Sequence, residues 1–330
     1  MKVLIVKLSS LGDVVHAMPA VQDIRACVPG AQIDWVVERG FAPLVRRCDG
    51  VNRVIECELR RCRKTFWTAA TRAEWKQFKA RLQQDAYDAV IDLQGLSKSA
   101  LVSRLARLTA AGRRHAMANR TEGSSYEVPT RWVADHLVRL APHVHALDRA
   151  RRVCAQVFGY TVPQQFHYGL QAQADDTAPQ AATVAFVHGS SRPDKCWPQA
   201  HWVALGRGLI SAGYAIALPH GSDAEQAEAQ AIAAQLGTGA TVWPRLDLGA
   251  LTDRLAGCAG VIGVDSGVSH VAVALDLPHV QIYNFDTAWR TGPEPAAAGA
   301  DVSPARQRSV FAQPTPDVAT VQAVWREVAP

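Results

Sequence analysis

At 330 residues the chain is long enough for two domains with separate cores, and too long for one small one. Its 48% hydrophobic and 20% charged residues are those of a globular protein, not a disordered or collagen-like one. The net charge of +5 conceals an asymmetry: residues 1–165 hold 26 Lys and Arg against 15 Asp and Glu, and residues 166–330 hold 9 against 15. A basic half suits nucleic acid, an anionic membrane surface or a phosphorylated acceptor, and charge alone does not choose among them.

The chain opens on an apolar strand, Val3 to Leu8, then a turn at SSLGD, then an amphipathic helix from about Val14 to Cys27 that stops at Pro29-Gly30. The opening run is too short for a membrane span and lacks a small-residue cleavage site, so neither a spanning helix nor a secretory signal is expected. Apolar runs at Ile33–Val37, Val51–Cys57 and Tyr87–Leu93 alternate with helical stretches, the mark of a parallel sheet covered on both faces. Residues 69–84 read as a charged surface helix. A polar stretch around Pro163 and QAQADDTAPQ predicts a linker at about 160–181, dividing the chain into domains at 1–165 and 166–330.

The second half repeats the alternation, with strands at TVAFVH, YAIALP, ATVW, GVIGV and HVQIY and helices near 198–212, 223–236, 249–258 and 267–276. Pro316 opens a last helix, about 316–328, which is expected to pack back on the first domain. The fold class is therefore α/β, two Rossmann-like domains with a ligand cleft expected between them, lined by loops at the carboxyl ends of the strands. Seven scattered cysteines, without CxxC or zinc spacing, read as core or surface thiols of a reducing compartment.

No GxGxxG follows the first strand and no Walker sequence occurs, which disfavours a nicotinamide dehydrogenase or a P-loop NTPase. No Asp-x-Asp occurs either, so a divalent metal is not expected, and charge on a leaving phosphate falls to Lys, Arg or backbone N–H groups. Four loops follow strands: KLSSLGD (7–13), HGSSRPDKCWP (188–198), HGSDAE (220–225) and VDSGVSH (264–270). Taken singly they are ambiguous. Asp13 could simply stabilise a helix N-terminus, Lys195 could be a solvated lysine, and His270 a core histidine. The run ELRRCRKTFW, with Arg60, Arg61, Arg63 and Lys64 beside Phe66 and Trp67, could be a solvated face or a single-stranded nucleic-acid site.

In order, the four loops resemble those of the ADP-heptose:lipopolysaccharide heptosyltransferases, a family of GT-B glycosyltransferases. IDWVVERGFA, ELRRCRKTFW and YDAVIDLQGLSKSA are similar to the branch that adds the first core heptose. The resemblance implies inverting transfer of L-glycero-D-manno-heptose from ADP-heptose to the inner Kdo of Kdo2-lipid A, without a cofactor. It implies that Asp13 is the general base and that Lys195, with Ser190 and Ser191, meets the diphosphate. Glu225 would take the ribose, Leu246 would lie at the adenine, and Asp265 at the heptose. Ser266 and Gly267 would turn helix N–H groups to the phosphates, and His270 would donate nearby. Arg60, Arg61, Arg63, Lys64 and Arg120 would meet the anionic acceptor. A cytoplasmic monomer, peripheral on the anionic inner membrane and without nucleic acid, is the expected form. A sister enzyme adding a later heptose and a nucleic-acid-binding protein are the alternatives.

Overall fold

The computed structural model describes residues 1–65, 67–174, 182–294 and 306–329, with Arg60 and Arg63 as backbone alone. Two compact units, Met1–Gly169 and Leu170–Pro330, make up the chain. The linker expected at 160–181 falls partly on 175–181, outside the described residues.

The first unit is a parallel sheet of β1 (Lys2–Val6), β2 (Gln32–Glu38), β3 (Val51–Cys57), β4 (Ala86–Asp92), β5 (Arg107–Met117) and β6 (His136–Val138), in the order β3-β2-β1-β4-β5-β6. Val3 to Val6 of β1 are wholly buried, as a central strand covered on both faces requires. Near the amino ends of the strands, Asp34 accepts from Tyr87 Oη (2.8 Å), Asn52 Nδ2 (2.9 Å) and Arg53 Nη2 (2.9 Å), which explains a carboxylate inside an apolar run. Helix Ala146–Phe158 packs on helix Leu11–Cys27, tied by Arg151 Nε to Asp23 Oδ2 at 2.7 Å, both side chains 4% exposed.

The second unit is built on β7 (Thr183–Val187), β8 (Ala215–Leu218), β9 (Ala240–Val242), β10 (Gly260–Val264), β11 (His279–Tyr283) and β12 (Gln307–Phe311), again all parallel, ordered β12-β11-β10-β7-β8-β9. Counted from its own first strand, the order is the same as in the first sheet, 3-2-1-4-5-6, the doubly wound dinucleotide-fold order. Trp197, Trp202 and Phe186 pack ring to ring at 4.9–5.0 Å in its core. Helices Gln199–Ser211, Asp223–Leu236, Leu248–Ala256 and Gly267–Ala274 lie within two residues of the expected bounds.

Strands β5, β6 and β12 have no counterpart among the apolar runs of the sequence. The last helix also differs: it spans Val318–Val328, and Asp317 is its N-cap, accepting from Thr320 N at 2.7 Å, with Pro316 outside. Its buried face, Val321, Trp325 and Val328, joins the core of the second unit. All seven cysteines are free thiols. Among the described residues no helix is long and apolar enough to cross a membrane.

Candidate active site

In a doubly wound sheet, the loops leaving two strands diverge to opposite faces where the strand order reverses, opening a crevice at their carboxyl ends. The reversal falls between β1 and β4 in the first unit and between β7 and β10 in the second. Chemistry-bearing side chains gather at both places.

In the first unit, Asp13 stands in the first turn of helix Leu11–Cys27. Its Oδ2 accepts from Ser10 Oγ (2.8 Å) and from Ser10 N (3.2 Å), which fixes the carboxylate against the β1 loop. Its Oδ1 faces two cations, Arg149 Nη2 at 3.0 Å and Lys7 Nζ at 3.4 Å. Burial by itself would raise the Asp13 carboxyl, but Lys7, Arg149 and the Ser10 hydroxyl overcome it and hold it well below the ordinary range. Burial dominates at Lys7 and lowers its ammonium, with Asp13 opposing. Lys7 also donates to the Leu93 carbonyl at 3.1 Å, beyond the end of β4.

The loop after β4 shapes the other wall. Gln94 Oε1 accepts from both Leu8 N and Ser9 N at 3.0 Å, and Lys98 Nζ donates to Ser9 Oγ at 2.9 Å. Asp92 holds that loop in turn, accepting from Gln94 N (2.8 Å), Gly95 N (3.0 Å) and Ser99 Oγ (2.9 Å). Of these residues the sequence reading assigned Asp13 alone. Lys7 lies within the quoted loop, but Arg149 is 136 residues away and carries no local signal.

The basic segment lies on helix Leu59–Thr65. Arg61 is engaged by Glu58, with Nε at 3.0 Å from Oε2, and by Glu74 of the next helix, while Lys64 is exposed. The side chains of Arg60 and Arg63, and Phe66, lie outside the described residues. Arg120 is exposed and donates to the Ser124 carbonyl at 3.0 Å.

In the second unit, Lys195 and Asp265 meet across the reversal. Lys195 Nζ is 2.5 Å from Asp265 Oδ2, the side chains 18% and 6% exposed. His270 Nε2 lies 3.6 Å from Asp265 Oδ1. Burial pushes the Asp265 carboxyl up, yet His270 and Lys195 together outweigh it and keep it at about 2. The lysine and the carboxylate, read from the sequence as contacts to different parts of a donor, are thus partners of one another. Ser190 Oγ reaches the Asp265 carbonyl at 3.4 Å, and Ser191 is exposed beside it. Ser266 is the N-cap of helix Gly267–Ala274, accepting from Ser269 N, so the free N–H groups of that first turn face outward from the end of β10.

Glu225 Oε2 accepts from Gly221 N at 2.7 Å, and a Cβ on Gly189 would stand 2.7 Å from Glu225 Cδ. The carboxylate is therefore seated against two loop backbones, whereas Asp223 is 94% exposed and pairs with Arg245. Arg245 also donates to the Gly221 carbonyl at 2.5 Å, which ties the half-buried Leu246 and its loop to the HGSD turn. Arg192 is taken up by Asp194 and the Phe285 ring, 5.6 Å away. Asn284 Nδ2 donates to the Asp194 and Cys196 carbonyls, both at 3.0 Å, and so braces the turn that carries Lys195. His188 is fully buried with Nδ1 3.4 Å from Glu228. Among the described residues no three His, Cys, Asp or Glu side chains gather as a metal-binding group.

Sequence and structure comparisons identify the chain's relatives. A model of glycosyltransferase family 9 (heptosyltransferase) matches residues 75–310. The lipopolysaccharide heptosyltransferase 1 of Pseudomonas aeruginosa is 39% identical over 300 residues, covering 88% of this chain and 81% of the relative. The lipooligosaccharide heptosyltransferase 2 of Haemophilus ducreyi is 28% identical over 305 residues, covering 84% and 81%. The Escherichia coli heptosyltransferase WaaC with ADP superposes with a TM-score of 0.87 at 34% identity, covering all of both chains. With the family model spanning most of its length, the chain belongs to glycosyltransferase family 9, the heptosyltransferases.

Proposed function

We propose that this enzyme moves L-glycero-D-manno-heptose from ADP-heptose to the inner Kdo of Kdo2-lipid A, with inversion at the anomeric carbon. The observation that carries the reading is the carboxylate of Asp13, kept ionised by Lys7 and Arg149 at the strand-order reversal. A group so held is ionised at neutral pH, as a proton acceptor must be. Its weak basicity means that the proton moves late, after the glycosidic bond to ADP has largely broken.

On this reading Lys195, Ser190, Ser191 and the first-turn N–H groups at Ser266 and Gly267 receive the diphosphate charge. Asp265 and His270 take heptose hydroxyls, Glu225 the ribose hydroxyls, and the loop of Leu246 the adenine edge. Arg60, Arg61, Arg63, Lys64 and Arg120 meet the carboxylates and phosphates of the acceptor, and the enzyme acts as a monomer at an anionic membrane. Identity of 39% to a heptosyltransferase 1 against 28% to a heptosyltransferase 2 supports the first heptose over a later one.

The test is release of ADP from ADP-heptose by the purified chain in EDTA, with and without de-acylated Kdo2-lipid A. Release that needs the acceptor and ignores EDTA is expected. Release with a monoheptosylated acceptor alone would transfer the assignment to the second heptose.

A further inference from the structure

Beyond Met1, five large apolar side chains of the described first unit are exposed, and four of them come from one stretch of surface: Leu101 (46%), Val128 (53%), Trp132 (79%) and Leu137 (41%). The elements that carry them are stitched together. Ser97 N and Oγ both donate to Glu127, Glu127 N donates to the Gly95 carbonyl at 2.9 Å, and Asp135 N donates to the Arg114 carbonyl at 2.8 Å. His136 stacks on His115 at 5.3 Å, on the outermost strand pair of the sheet. Leu101 lies four residues on from Ser97, and Trp132 four on from Val128, so each shares a helix face with a residue at that seam.

Charge on this surface has one sign left over. Arg104, Arg131 and Arg139 are exposed and have no acidic partner among the described residues, in contrast to Arg25, Arg46, Arg53 and Arg61. The two local carboxylates accept from neutral donors, Glu127 from Ser97 and Asp135 from the Arg114 backbone N–H at 2.7 Å, and keep their charge, so three arginines stand against two acids and the face is left in positive excess. Apolar side chains led by an exposed Trp and ringed by unpaired arginines are complementary to the headgroup layer of an anionic bilayer, where indole rings settle and each guanidinium finds a phosphate.

We propose that this face, formed by helices Ser97–Leu105 and Pro129–Val133 and strand β6, seats the enzyme on anionic phospholipid. Its helix Ser97–Leu105 begins at the Asp13 loop, where Lys98 meets Ser9, so a bilayer resting there would present lipid-anchored sugars beside the base. The inference rests on the proposed function for its choice of a bilayer as the partner. The test uses vesicles without acceptor, so each can fail alone.

The full chain is floated with phosphatidylglycerol–phosphatidylethanolamine vesicles and, separately, with phosphatidylcholine vesicles. Flotation with the anionic vesicles alone is expected, lowered about tenfold by Trp132→Ser with Leu137→Ser and by Arg131→Glu with Arg139→Glu. Both double variants should keep wild-type unfolding midpoints and wild-type turnover of de-acylated acceptor, which shows that they fold. Undiminished flotation of both variants overturns the proposal. So does flotation lost with Trp67→Ser but not with them, or a self-associating chain whose dimer, not its vesicle binding, they abolish.

Discussion

Replacing Lys195 by Met keeps most of the side-chain stem and deletes the ammonium that sits 2.5 Å from Asp265. Two unit charges about 4 Å apart attract by about 4 kcal/mol at an effective dielectric of about 20. Truncating one member of a buried pair costs roughly 3–5 kcal/mol, because the other charge stays behind. His270, 3.6 Å from the second oxygen, still faces the carboxylate. Water entering beside the 18%-exposed lysine position relieves it further, so a loss of about 2–4 kcal/mol is expected. Adding Asp265→Asn removes the stranded charge and returns most of that stability. It does not return ADP affinity, which stays about 10- to 100-fold weak without the cation. Urea unfolding followed by tryptophan fluorescence reads the first quantity and calorimetric titration with ADP the second. Acid supplies a further check: with its carboxyl held at about 2, Asp265 contributes fully above its unfolded pKa near 3.9 and less as pH falls toward 2. The difference between Lys195→Met and wild type therefore narrows below about pH 4. Equal stability of the two at neutral pH, or recovered ADP affinity in the double variant, would refute the reasoning.

Asp13→Ala should lower kcat by about 10²- to 10⁴-fold while leaving ADP affinity unchanged, and near wild-type turnover would remove Asp13 from the mechanism. Arg149→Met takes away one of the two cations at Asp13 Oδ1, so the carboxyl rises toward its ordinary value. The acid limb of the pH–rate profile then moves up, Arg149→Lys restores it, and a limb unmoved by Met contradicts the assignment. Gly189→Ala puts a methyl 2.7 Å from Glu225 Cδ and should weaken ADP binding about tenfold at an unchanged unfolding midpoint, both measurable on one preparation. Trp325→Ala empties a fully buried site beneath Gly260 and should destabilise the second unit by about 3–5 kcal/mol in denaturant titration.

The sheets were legible where burial is two-sided. TVAFV, GVIGV and HVQIY are buried end to end and read as strands from composition alone. Strands nearer the edges were not: β5 is RLTAAGRRHAM, half exposed and Arg-rich, and β6 and β12 are outermost and take their conformation from their neighbours. In the candidate site, local sequence pointed to residues at the starts of helices that follow strands, such as Asp13, Glu225 and Ser266. Arg149, Gln94 and Asn284 escaped because their meaning depends on a pairing 85 to 136 residues away in the chain, which no spacing rule encodes. The Lys195–Asp265 pair was half legible, both residues noticed and their contact unforeseen.

The position of both side-chain clusters at the reversal of strand order has a consequence for how the chain is made. Lys7 reaches Leu93, Leu8 and Ser9 reach Gln94, and Lys195 reaches Asp265, so each cluster closes when the fourth strand of its sheet docks beside the first. A ribosome that has delivered Asp13 must add over a hundred further residues before Arg149 can reach it. Such non-local closure is slow relative to helix formation and follows the collapse of each unit. Binding competence is thus a late product of assembly, and a nucleotide that binds the second unit selects chains in which β10 has already found β7, stabilising them by mass action.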